Sequence, residues 1–246
     1  MKHYEAELAC LVLKIFETER QKGYRYIWRR LQKKYHLSRN PKTILRYMHL
    51  LGISSPIRKK KFKHSSYKQI DEKSRQVEPN VLNREFQAKK PLEKVVTDVS
   101  YLNYQGGRRY LSVIKDLYDH TILAYQLSSF NDNQLVFDNL AQVFTEKHYE
   151  CLIHSDQGFQ YTNKNYVSFL QSLGITVSHS RRGNCYDNAC VENFFSQLKC
   201  EELYLRPAKS ALELEQQVIS YIDFYNQLRP QEKLKGMTPL EFRNHA

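Results

Sequence analysis

Three acidic residues stand at the edges of apolar segments: Asp98 in Thr97-Asp98-Val99-Ser100-Tyr101, Asp156 in His154-Ser155-Asp156-Gln157-Gly158, and Glu192 in Asp187-Asn188-Ala189-Cys190-Val191-Glu192-Asn193-Phe194-Phe195. An acid beside an apolar strand is costly to bury unless a cation or hydrogen-bond donors compensate it. Three such acids point to a shared divalent-metal site and to phosphoryl transfer. Carboxylates brought together raise one another's pKa and partly protonate, whereas one or two bound dications, about 3.5–4 Å apart when paired, hold them ionised and activate a water or a 3′-hydroxyl. Carboxylate oxygens are hard ligands, suited to magnesium, with manganese as substitute, rather than to zinc.

The elements that must position these acids follow from periodicity. Residues 94–103 alternate as a strand with Val96, Ser100 and Leu102 on the face of Asp98 and with Val95, Val99 and Tyr101 on the other. Gly106-Gly107 reads as a turn, followed by strands at 109–117 and 121–127, so three strands with short connections form an antiparallel meander. A helix is expected at 132–147, a short strand at 151–154, a helix at 163–173, a strand at 175–178, and helices at 188–203 and 211–228. Asp156 then follows the end of a strand, where ligands bind in mixed sheets, and Glu192 lies on a helix flank beside the core positions Val191, Phe194, Phe195 and Leu198. The order βββαβαβα is that of the RNase H-like fold, an α/β mixed sheet flanked by helices.

Charge divides the chain. Of the net +12, residues 1–92 carry 23 Lys+Arg and 8 Asp+Glu, net +15, and the remainder 15 and 18, net −3. A basic N-terminal third on a slightly acidic core fits a polyanion-binding arm. Helices at 24–35 and after Asn40-Pro41, ending before Gly52, read as a helix-turn-helix, and an earlier helix at 4–19 completes a small all-α domain over 1–56. The second of the pair presents Lys42, Thr43 and Arg46, as a recognition helix presents side chains to a groove. A basic linker over 57–92 opens with Arg58, Lys59, Lys60 and Lys61, placed to track a phosphate backbone. The catalytic core then spans 93–229, and a tail at 230–246 carries a short helix started by the capping box of Thr238-Pro239-Leu240-Glu241.

Near the acids, Arg181, Arg182 and Lys199 are candidates for DNA phosphates, against plain solvent exposure. Asp116 and Asp119 flank a hairpin turn and are expected to be structural. Asp187 is expected to cap the helix that carries Glu192, with a rival role as third ligand. His154 and His179 have no zinc spacing and read as satisfied structural histidines. The five cysteines are odd in number and form no Cys-x-x-Cys pair, which argues against a disulfide framework or structural zinc. No run approaches the ~18 apolar residues of a membrane helix, so a cytoplasmic, nucleoid-associated protein is expected.

In these motifs the chain resembles the DDE transposases of the insertion-sequence-3 family, relatives of retroviral integrases. The likeness rests on the three acid motifs in order, with 35 residues between Asp156 and Glu192 (192 − 156 − 1). It extends to Gly23-Tyr24-Arg25-Tyr26-Ile27, Tyr225-Asn226 and Arg229-Pro230. Two positions depart from the family pattern: Val95-Val96 replace an aromatic residue before the first acid, and Gln157 follows the second acid where Arg is more frequent. The resemblance implies cleavage of double-stranded DNA at element ends and transfer of the 3′-hydroxyl to another phosphodiester. It further implies a homo-oligomer on DNA and fusion or partnership with an upstream-frame DNA-binding protein. An RNase H-like nuclease without strand transfer and a DNA-binding regulator with an inactive core are the alternatives.

Overall fold

The computed structural model describes residues 5–19, 22–55, 75–146 and 149–245, the side chain of Cys185 excepted. Three strands, β1 (Lys94–Tyr104), β2 (Gly107–Asp116) and β3 (Ile122–Ser128), form the antiparallel meander, and β4 (Leu152–Ser155) and β5 (Thr176–His179) join it in parallel. The order across the sheet is β3-β2-β1-β4-β5. Gly106, at φ +96°, supplies the left-handed conformation that the β1–β2 turn needs.

Alternation along β1 divides the apolar residues between two layers. Val95, with Ile114, Ile153 and Val177, packs against α4 (Asn133–Ala141) and α5 (Lys164–Ser172). Val96 and Leu102, with Leu111 and Val113, pack against α6 (Ala189–Leu198) and α7 (Ala211–Gln227). Asp98 therefore shares its strand face with the layer that α6 covers. Phe194 fixes α6: it is fully buried and meets Tyr225 of α7 edge to face at 5.0 Å between ring centroids. Such a pair contributes about 0.5–1.5 kcal/mol beyond burial.

At the N-terminus, α1 (Ala6–Thr18), α2 (Tyr24–Tyr35) and α3 (Pro41–Leu50) close around Val12, Ile15, Ile27, Leu31, Ile44 and Tyr47. The Asn40 side chain accepts the Lys42 N–H at 2.9 Å, Pro41 opens α3, and Gly52 takes φ +66° past its end. This bundle is docked on the core. Glu201 accepts hydrogen bonds from Tyr221 Oη (2.5 Å) and Arg229 (2.9 and 3.1 Å) and ion-pairs with Lys22, which also lies over the Phe224 ring at 5.2 Å. Lys33 of α2 pairs with Glu241 of the terminal helix α8 (Pro239–Asn244), whose capping box is formed as expected.

Three expectations are corrected. The helix expected at 132–147 ends at Ala141, because Phe144 turns into the core and Tyr149 Oη accepts the N–H groups of Thr145 and Glu146. The helix expected at 188–203 is composite: a 3-10 turn over Cys185–Asn188, then α6, then a π-helical turn over Lys199–Leu203. The linker expected over 57–92 is built onto the core from Arg75 onward: Leu82 is 1% exposed within the α6–α7 layer, and Ser178 Oγ accepts the N–H groups of Val81 and Leu82. Arg58, Lys59, Lys60 and Lys61 lie outside the described residues.

Candidate active site

The strand register brings the first two acids together. Val96 is level with His154 in the parallel β1–β4 pair, and Asp98 and Asp156 each follow two residues later, near enough for the Asp156 charge to act on Asp98. β4 ends at Ser155, whereas β1 runs on to Tyr104, so the acids stand where the sheet opens. Asp98 Oδ1 accepts the Val99 N–H at 2.8 Å, and Asp156 Oδ1 accepts that of Gly158 at 2.8 Å. A Cβ at Gly158 would lie 2.9 Å from Asp156 Oδ1, so a larger residue there would have to displace that carboxylate. Below them Tyr161 and Tyr166 are buried, their phenols raised by desolvation and therefore neutral.

Glu192 faces the same place from α6, and no protein donor reaches its carboxylate among the described residues. The three acids sense one another. The Asp98 carboxyl is held well above the ordinary carboxylate range, first by desolvation and then by the charge of Asp156, with Glu192 adding to it. Desolvation raises Asp156, and desolvation followed by the Asp156 charge raises Glu192 although its side chain is solvent-accessible. As the side chains stand, no three His, Cys, Asp or Glu groups among the described residues are close enough to hold a metal ion. The donor set nevertheless fits one: oxygen-only, mutually repulsive, and with carboxylate oxygens not committed to protein donors.

These raised values have a stability consequence. A folded acid that keeps its proton above the ordinary carboxylate range makes the fold bind more protons than the unfolded chain, so stability falls as pH rises through that window. Asp98→Asn removes the repulsion. In denaturant titrations without added metal the variant is expected to exceed the parent by about 1 kcal/mol at pH 7. That gain disappears below pH ~4, where the parent acid is protonated in both states.

Lys199, on the turn after α6, donates from Nζ to Ser100 Oγ at 2.7 Å; burial lowers its pKa and the Asp98 charge opposes that shift. Arg182 is exposed. Arg181 is half-committed, because its guanidinium donates to Asp187 at 2.8 Å through both Nε and Nη2. Asp187, expected as a cap, does not cap α6; it is fully buried and accepts from Arg181, Arg84 and Asn80, and Arg181, with Arg84, holds its carboxyl well below the ordinary range. It therefore ties the segment after Arg75 to the loop before Glu192. His154 bonds Ser178 and Ser180, and His179 accepts from the Glu78 N–H, both as structural histidines. Asp116 and Asp119 are structural too, holding turn N–H groups and pairing with Arg243 of α8. In α3, Lys42 is exposed, Thr43 is half-buried, and Arg46 lies with Cζ 5.5 Å from the Tyr47 ring centroid. Tyr101 and Arg108, absent from the residues expected at the site, stand next to Lys199.

Residues 88–185 match the integrase core domain, 173–239 a second integrase core domain description, and 3–61 an HTH-like domain. The putative transposase InsK for insertion sequence element IS150 of Escherichia coli is 39% identical over 95% of this chain and 82% of its own length. A transposase-like protein of Haemophilus influenzae is 36% identical over 84% of this chain and 94% of its own. The transposase for insertion sequence element IS904 of Lactococcus lactis is 32% identical over 84% and 81%. Among solved structures, the simian T-cell lymphotropic virus intasome aligns over 94% of this chain and 74% of its own, at TM-score 0.55 and 14% identity. The HTLV-2 integrase catalytic core domain in complex with magnesium aligns over 63% and 97%, at TM-score 0.50 and 17% identity. The fold is thus RNase H-like, of the integrase type. No helix among the described residues is long and apolar enough to cross a membrane.

Proposed function

Because the chain belongs to the insertion-sequence-3 family of DDE transposases, and so is a DNA transposase and polynucleotidyl transferase, we propose that Asp98, Asp156 and Glu192 are its catalytic and metal-binding acids. The observation that supports this reading is the β1–β4 pairing of Val96 with His154, two residues before Asp98 and Asp156, with Glu192 charge-coupled to both from α6. These carboxylates would hold a divalent cation, magnesium or manganese, which would supply Lewis-acid charge to the reaction. Asp98, just past the paired part of β1, Asp156, just past β4, and Glu192 of α6 are the residues that would hold it. In the first step water attacks phosphorus and the P–O3′ bond breaks, leaving a 3′-hydroxyl. In the second that 3′-oxygen bonds a new phosphorus and displaces the 3′-oxygen of the target strand, and the proton it gives up ends on the displaced oxygen as a new 3′-hydroxyl.

DNA reaches the acids through the N-terminal bundle and the basic stretch. Lys42, Thr43 and Arg46 of α3 contact DNA in a groove, Arg58, Lys59, Lys60 and Lys61 follow the backbone, and Arg181, Arg182 and Lys199 meet phosphates near the acids. Joining element ends to a target needs more than one DNA-binding unit, so copies of the chain assemble on DNA, in fusion or partnership with an upstream-frame DNA-binding protein. A duplex carrying the element ends, incubated with the chain and magnesium, is expected to yield joined products. Hydrolysed ends alone would favour a nuclease without strand transfer, and unaltered DNA that is still bound would favour a regulator. Lys42→Gln and Arg46→Gln should each reduce the slope of log affinity against log salt by about 1.

A further inference from the structure

β1 continues beyond its last β4 partner into Ser100 and Tyr101, and Tyr101 stays 50% exposed. Two cations crowd its ring. Arg108 Cζ lies 4.4 Å and Lys199 Nζ 5.0 Å from the ring centroid. Each is anchored through a further contact: Arg108 Nε donates to Asn103 Oδ1 at 3.1 Å, and Lys199 Nζ donates to Ser100 Oγ at 2.7 Å. Asn103 is level with Arg108 in the β1–β2 register, so the strand pair itself sets the position of the guanidinium. Among the described residues, neither Arg108 nor Lys199 has a carboxylate within ion-pair distance. Two positive charges on one ring repel, and no carboxylate among the described residues pairs directly with either. Most other exposed cations of a protein surface are free to swing away from such a neighbour; these two are tethered. Arg108 keeps its terminal nitrogens for a further acceptor, and a phosphodiester matches both the charge and the fork of a guanidinium.

The location gives the ligand its identity. Ser100 and Tyr101 follow Asp98 directly on β1, and Lys199 senses the Asp98 charge. We propose that Arg108, stacked on Tyr101 alongside the phosphate contact already assigned to Lys199, completes a clip that grips a DNA phosphate beside the reacting phosphodiester. Tyr101 is a positioning residue: it carries no charge to the DNA, but it holds both cations in place by cation–π contact. The proposal rests on the reading that the three acids are the reaction centre, and its test is kept separate from that reading by using protein that cannot turn over.

The measurement is equilibrium binding of full-length Asp98→Asn chain to element-end duplexes and to target duplexes, each carrying a neutral methylphosphonate at successive positions. In the parent background, neutralising one phosphate next to the joining position is expected to weaken binding about tenfold. Adding Arg108→Gln should weaken binding to unmodified DNA by a similar factor, remove the sensitivity at that one position, and lower the salt slope by about 1. Tyr101→Leu leaves every charge in place and is expected to lose about threefold in affinity with the same positional sensitivity, while Tyr101→Phe restores both. Sensitivity appearing in the element-end duplex assigns the clip to the transferred strand, and sensitivity in the target duplex assigns it to the strand attacked. The proposal is overturned if Arg108→Gln and Tyr101→Leu, folded by circular dichroism, keep the parental affinity, slope and positional sensitivity. It is equally overturned if the sensitive phosphate lies far from the joining position. Neither result touches the three acids, whose failure would show instead as joining by Glu192→Gln.

Discussion

Asp98→Asn, Asp156→Asn and Glu192→Gln each reduce joining of DNA ends by about a thousandfold or more, the equivalent of roughly 4 kcal/mol in the barrier. The acids act as one unit, so pairs of substitutions should cost little more than single ones. All three variants should fold, because the residues stand where the sheet opens and desolvation outweighs every stabilising contact of Asp98 and Asp156, neither of which forms a salt bridge among the described residues. Salt-sensitive binding to DNA should be retained, since the basic bundle is untouched. The assay is electrophoresis of labelled oligonucleotides with magnesium, and a variant that still joins DNA removes its residue from the site.

Glu201→Ala is the second large effect, and it acts on architecture rather than chemistry. Glu201 is the shared anion of Lys22, Arg229 and Tyr221, with side chains 17% exposed at Glu201 and only 5% and 15% at Lys22 and Arg229. Removing one partner of a buried pair leaves the others uncompensated and costs about 3–5 kcal/mol. Denaturant titration should report that loss. The bundle contacts the core through this cluster, through Tyr26 against Phe224, and through the Lys33–Glu241 and Arg29–Glu232 pairs, so loss of the cluster's anion is expected to accelerate protease cleavage between the two regions. A stability equal to the parent's would show that the cluster does not couple the bundle to the core.

Local grammar made much of this molecule legible. Asn40, Pro41 and Gly52 punctuate α3, alternation marks β1, and the apolar run before Asp156 marks β4; each signal arises within a few residues and survives into the structure. The candidate acids were legible for the same reason, as carboxylates on apolar edges. What escaped was long-range. Asp187 looks like a cap because it precedes a helix, but its partners Asn80 and Arg84 lie 107 and 103 residues away in sequence. Arg243 reaches Asp116 and Asp119 across 127 and 124 residues. Leu82 is a lone buried residue in a polar stretch, with no period to reveal it. The Tyr101 clip was hidden because it joins three elements: Tyr101 alone reads as one position of an alternating strand, and Arg108 as a turn-side charge.

The central claim is that Asp98, Asp156 and Glu192 make one divalent-cation site, and calorimetric titration of the DNA-bound chain with manganese tests it most directly. The parent complex is expected to bind manganese with release of protons, because acids held above their ordinary range must give them up to coordinate. Asp98→Asn, Asp156→Asn and Glu192→Gln should each weaken that binding about tenfold or more and diminish the proton release. Undiminished manganese binding in any one of the three, with the parent's proton release, would contradict the shared site.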